Sequence, residues 1–176
     1  MIALYSEVMN RSLAFALVFL ATLATAVPAL AAPKLQGTHG DWTVYTRDGD
    51  GTTMCYAVTQ PTAQSPGNVN HGDVFFLVSS WANGAATEQP SLMAGYTFKP
   101  NRAPVARVGS TKITMYGADN EAFIAESADE KTLVSKMRAG ATMTVQAQSS
   151  RGTDVSYSFS LKGITAALRQ VKAACG

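Results

Sequence analysis

Between Gly140 and Cys175 the hydrophobic period changes once, and this stretch limits what the chain can fold into more than any other. Met143, Val145 and Ala147 share one face of an alternating run, a polar turn follows at Ser149 to Asp154, and Val155, Tyr157, Phe159 and Leu161 alternate again. Two alternating runs joined by a polar turn predict an antiparallel hairpin. After Lys162-Gly163 the apolar residues Ile164, Leu168, Val171 and Cys175 fall on one stripe of a helix. Such a stripe needs a surface to cover, and its last residue is one of only two cysteines, so the closing helix presents a sulfur inward. Cys55 is its natural partner, with two free thiols as the alternative.

The other end of the chain has to be set aside before a fold is built. Met9-Asn10-Arg11 is a short basic start, Leu13 to Leu23 is almost wholly apolar, and Ala29-Leu30-Ala31 offers small residues where a signal peptidase reads them. Residues 1–31 therefore read as a secretory signal peptide whose true start is Met9, cleaved after Ala31 to leave residues 32–176 as one domain. A retained membrane anchor is the competing reading, but the apolar run falls short of the ~20 residues a span requires. Export to the periplasm or the medium follows, with no stable membrane span after cleavage. In that compartment two cysteines form one disulfide. The 14 basic and 12 acidic residues are scattered, which gives no footprint for nucleic acid or an anionic membrane.

Residues 32–40 read as a polar lead-in. Strands follow at Asp41 to Thr46 and Thr53 to Gln60, joined by Arg47-Asp48-Gly49-Asp50-Gly51, whose Asp-Gly pairs suit a tight turn. That turn lacks the glycine and the terminal glutamate of a calcium loop. In the second strand Cys55, Ala57 and Thr59 form a face of small side chains on which a helix can lie close. Pro61 to Gly72 has no periodicity and is long for a connection, which makes it the first candidate binding loop. Val74 to Trp81 is continuously apolar and predicts a central strand covered on both faces. Trp81 at its end reads as a rim aromatic, with a ligand platform as the alternative. Ser91 to Tyr96, Val105 to Val108, Lys112 to Tyr116 and Glu121 to Ala125 predict further short strands. A helix opening on a Ser127/Glu130 capping box buries Leu133, Val134 and Met137 and stops at Gly140. Together these elements predict a mostly β fold: an antiparallel β-sandwich of immunoglobulin-like architecture with one internal and one C-terminal helix.

No motif in the chain specifies a reaction. His39 and His71, the only histidines, are the candidate general bases of a hydrolase-type enzyme, yet no Gly-x-Ser-x-Gly accompanies them. His71 and Asp73 lack further ligands at metal-site spacing. Met93, Met115, Met137 and Met143 lie in apolar patterns and read as core rather than as copper ligands. No cofactor is expected.

Several segments in order resemble the invasion-associated locus B family. They are Gly40-Asp41-Trp42-Thr43-Val44, Cys55-Tyr56-Ala57 with Gln60-Pro61, Gly95-Tyr96, Ser149-Ser150-Arg151-Gly152-Thr153, Tyr157-Ser158 with Leu161 and Gly163, and Cys175. The resemblance implies an exported β-sandwich with no known catalytic residues or cofactor, contributing to host-cell contact or to envelope function through an unidentified partner. Many members carry a cysteine where this chain has Thr46, which leaves Cys175 as the partner of Cys55. The turn Ser150, Arg151, Gly152 and Thr153 is either a partner anchor or a structural brace, with Arg151 bonding carbonyls or Asp154 in the second case. The brace is the preferred expectation, and an exported non-enzymatic interaction protein is the preferred function; a purely structural or stress-related envelope role is the other non-enzymatic reading.

Overall fold

The computed structural model describes residues 31–49 and 51–176, so the signal-peptide reading falls outside it apart from Ala31. In chain order its elements are β1 (Lys34–His39), β2 (Trp42–Gly49), β3 (Thr52–Thr59), β4 (Ala63–Ser65), β5 (Phe75–Trp81), β6 (Gln89–Met93), β7 (Val105–Val108), β8 (Thr111–Thr114), β9 (Tyr116–Ala118), β10 (Glu121–Phe123), α1 (Ser127–Ala139), β11 (Thr142–Gln148), β12 (Asp154–Ser160) and α2 (Ile164–Cys175). They form two antiparallel sheets, of seven strands in the order β1-β2-β3-β5-β6-β10-β9 and of five in the order β4-β12-β11-β7-β8. No helix among the described residues is long and apolar enough to cross a membrane.

The predicted C-terminal hairpin is present, with Met143 opposite Phe159, Val145 opposite Tyr157 and Ala147 opposite Val155. Its alternation turns Met143, Val145, Val155, Tyr157 and Phe159 into the core. There Phe159 meets Phe76 of the larger sheet, ring centroids 5.6 Å apart. The indole N–H of Trp42, itself fully buried, donates to the Ser160 carbonyl at 3.0 Å and ties the two sheets at a second point.

Helix α2 lies across the inner side of β1, β2, β3 and β5. Ile164, Leu168 and Val171 are buried under it, each stabilising the docked helix by about 1.5–3 kcal/mol relative to exposure. The small face of β3 lets the helix sit close, and Cys55 and Cys175 form a disulfide with Cα atoms 5.9 Å apart. The helix starts at Gly163, whose φ of 97° brings the chain against the His39 carbonyl; a Cβ there would stand 1.9 Å from that oxygen. Only glycine fits such a start.

Several expectations need correction. The polar lead-in is an edge strand, β1, whose pattern is broken by a bulge between Leu35 and Gly37 and by the exposure of Leu35. The Pro61 to Gly72 loop contains β4, which pairs with β12. The capping box does not form: the first residue before α1 is Glu126, without a side-chain cap bond, and its carbonyl accepts the amides of Asp129 and Glu130. Asp129 and Glu130 still place negative charge at the positive end of the helix dipole. Finally, β5 is the middle strand of seven, but only its inner face, with Phe76 and Val78, is fully buried; Phe75, Leu77 and Trp81 on the outer face are half-exposed. The buried stripe of α1 is Leu133, Val134 and Met137 as predicted. Met115, Met137 and Met143 are core, whereas Met93 lies half-exposed on the outer side of β6.

Candidate functional site

Three segments far apart in sequence meet at one end of the sandwich around a cleft of about 560 Å³. The candidate binding loop contributes Val69 to Gly72, the chain leaving β6 contributes Gly95 to Thr97, and the hairpin turn contributes Ser149 to Arg151 and Thr153. Two close approaches bring them together. Gly95 passes so near the loop that a Cβ on it would stand 2.6 Å from the Gly72 Cα and 2.8 Å from the Asp73 amide. The Ser150 amide donates to the Thr97 carbonyl and the Lys99 amide to the Gln148 carbonyl, both at 2.8 Å, so the segment after Tyr96 crosses from one sheet to the other.

A buried polar chain forms the floor. His71 is 3% exposed; its Nδ1 lies 2.9 Å from the Tyr157 hydroxyl and its Nε2 2.9 Å from the Pro66 carbonyl. The Tyr157 and Tyr96 hydroxyls are 3.0 Å apart. Because a carbonyl only accepts, Nε2 carries a proton. With the ring neutral, Nδ1 then accepts the Tyr157 hydroxyl, whose oxygen in turn receives the Tyr96 proton. Burial, with the Tyr157 hydroxyl bond second, holds the Tyr96 phenol far above its ordinary range. Burial also raises Tyr157, offset in part by its bond from Tyr96. Both phenols are neutral, and both nitrogens of His71 are committed to bracing the loop.

The turn above this floor is held without its arginine. The Ser149 amide donates to the Thr153 carbonyl at 2.9 Å, the Gly152 amide donates to the Ser149 carbonyl at 2.8 Å, and the Thr153 amide donates to Ser149 Oγ at 3.2 Å. Gly152 supplies the positive φ of 89°. Asp154, the carboxylate expected to pair with Arg151, instead accepts Gln148 Nε2 at 2.8 Å. The exposed Arg151 guanidinium has no hydrogen-bonded or ion-paired partner among the described residues and stands at the cleft wall. Ser150 and Gly152 beside it are exposed and Thr153 is half-buried.

The remaining candidates lie elsewhere. His39 Nε2 is 2.6 Å from Gln170 Oε1, and Gln170 Nε2 donates to the Gln36 carbonyl at 2.9 Å, so this histidine fastens α2 to β1. Trp81 is on the outer side of the seven-stranded sheet beside Met54, at the edge of a sheet face rather than of the core. A wider depression of about 690 Å³ on the five-stranded sheet includes Arg102, Gln148 and Asp154. Among the described residues no three His, Cys, Asp or Glu side chains group as metal ligands. The cleft's Tyr96–Tyr157–His71 chain was not visible in the sequence as a unit: Tyr157 shows as an inward strand residue and, like Tyr96, within a segment resembling the family, but nothing in one dimension links either to His71.

A two-sheet sandwich with a disulfide-tethered terminal helix and a polar cleft between loop, crossover and turn defines the class. The family model described as "Invasion associated locus B (IalB) protein" matches residues 42–172, and the chain belongs to that family. Among solved structures it is similar to invasion associated protein B from Bartonella henselae, with a TM-score of 0.53, 16% sequence identity and coverage of 80% of this chain and 98% of that one. At that identity the likeness establishes the fold. No curated protein sequence matches the chain.

Proposed function

We propose that this IalB-family protein is an exported, non-enzymatic interaction module of the periplasm or the cell exterior, and that the cleft is where it holds a protein partner. The observation that carries the reading is the division of labour at the cleft. His71, Tyr157, Tyr96 and Ser149 spend their polar atoms on one another and on the backbone, while Arg151 spends none on any described residue. Groups so committed do not serve as base or nucleophile, since either role needs a free, positioned atom. A rigidly braced turn that offers one uncommitted guanidinium is instead suited to bidentate capture of a carboxylate on a partner's loop or chain end. Host-cell contact and envelope maintenance are both settings for such a module.

Site-specific photo-crosslinking in the native envelope tests this. A photoreactive residue at Ser150, on the cleft, should yield a discrete adduct that the same residue at Lys131, exposed on α1, does not. Equal adducts at both positions would remove the cleft from the account.

A further inference from the structure

Among the described residues nothing packs over the outer, largely apolar face of the seven-stranded sheet. On its outer side the register sets Arg47, Met54 and Trp81 in one row, then Tyr45, Tyr56, Ser79 and Gln89, then Thr43, Val58, Leu77 and Ser91 continuing to Phe123 and Tyr116, then Phe75, Met93, Glu121 and Ala118. Tyr45 stacks on Tyr56 and Tyr116 lies against Phe123, with centroids 5.7 and 5.9 Å apart, so the face is already ordered. Helix α2 and the smaller sheet both lie on the other side. The sequence of β5 is that of a strand covered twice, yet the described residues supply one cover. Contiguous apolar patches of this size on a soluble surface mark contact sites.

We infer that a second copy of this chain provides the cover, the two outer faces packing about a twofold axis. Charge placement argues for a copy rather than for an unrelated partner. Among the strand residues from β2 to β10 the face holds two charges of opposite sign, Arg47 and Glu121, at opposite corners, while Glu130 of α1 reaches the border of the face only to bond Gln89. A twofold axis lying in the interface and perpendicular to that diagonal brings each Arg47 against Glu121 of the second copy, two identical pairs from one surface. The corners are separated by four strand spacings one way, about 19 Å, and by the length from Trp81 to Phe75 the other way, about 20 Å. With the diagonal near 45° to the strands, the two sheets cross near a right angle, one of the two ways sheets stack. Five strands by seven residues project to roughly 500–600 Å² per copy, which totals about the 1,000 Å² a specific interface requires. The pairing is therefore at the weak, reversible end of specific dimers. It uses none of the cleft residues, so it stands or falls apart from the binding reading.

Sedimentation equilibrium of residues 32–176 tests it. The protein should be largely dimeric at about 100 µM and dissociate on dilution, as a micromolar Kd requires. Arg47→Glu and Glu121→Arg should each weaken dimerisation at least about tenfold, the cost of placing like charges together twice. The double exchange Arg47→Glu/Glu121→Arg should restore it. Because both residues are half-exposed, near-ultraviolet circular dichroism should show all three variants folded. A monomer at every concentration, or a dimer indifferent to both single reversals, would overturn the inference.

Discussion

Cutting the tie between Cys55 and Cys175 tests the account of the fold, because the bond closes almost the whole described chain. Alanine at both positions is the right perturbation: Cys55 is fully buried and Cys175 nearly so, and serine would strand hydroxyls there and add a cost unrelated to the crosslink. The two residues are 120 apart in sequence. Loop-closure entropy for that length is about 16 cal/mol/K, or about 5 kcal/mol at 25 °C. The native state should change little, since Ile164, Leu168 and Val171 keep α2 docked. Urea denaturation should show a loss of about 3–5 kcal/mol with unchanged far-ultraviolet circular dichroism, and a larger m-value because the unlinked unfolded chain exposes more surface. A loss below about 1 kcal/mol with an unchanged m-value would refute the view that the crosslink acts on the unfolded state.

Three further outcomes follow from the cleft and its floor. Tyr157→Phe leaves the buried His71 Nδ1 without a donor and should cost about 1–3 kcal/mol in urea titration. Gly95→Ala forces a methyl group against the backbone of Gly72 and Asp73, so thermal melting should show a loss of about 1–3 kcal/mol and Tyr96 should lose its bond to Tyr157. Tyr96 and Tyr157 have raised folded-state values, so the native protein keeps protons that the unfolded chain releases; stability is full below the ordinary tyrosine range and falls as pH rises above about 10. Phenolate absorbance should therefore miss these two rings until alkaline unfolding, and Tyr96→Phe should flatten the alkaline loss.

The parts of this molecule legible in its sequence are those where one local rule acts alone. The β11–β12 hairpin follows from strict alternation, and the partnership of Cys55 with Cys175 follows from a small strand face and a helical stripe that each end on sulfur. Elements whose reason is tertiary stayed hidden. Strand β1 has no alternation of its own and exists because β2 offers it an edge; β4 exists because β12 does. The capping box failed because the helix begins one residue earlier in register than Ser127 requires, and the carbonyl of Glu126 takes the amides instead. At the cleft, the turn, the loop and Gly95-Tyr96 were each visible, but their meeting depends on Gly95 sliding past Gly72, which no pattern in one dimension encodes. Arg151 shows the same limit: its neighbour Asp154 suggested a brace, and Gln148, across the hairpin from Asp154, took the carboxylate.

The measurement that bears most directly on the proposed function is a paired one on Arg151→Ala: urea stability of the purified variant, and recovery of the Ser150 crosslinked adduct from the envelope. The turn is held by Ser149, Gly152 and Thr153, so stability should stay within about 0.5 kcal/mol of the parent, as for a surface substitution. The adduct should fall by about tenfold or more, the loss of a charge-assisted bidentate contact. A variant destabilised by 1–2 kcal/mol that still forms the adduct at the parent's level, which is what a bracing arginine would give, would contradict the assignment of the cleft as the partner site.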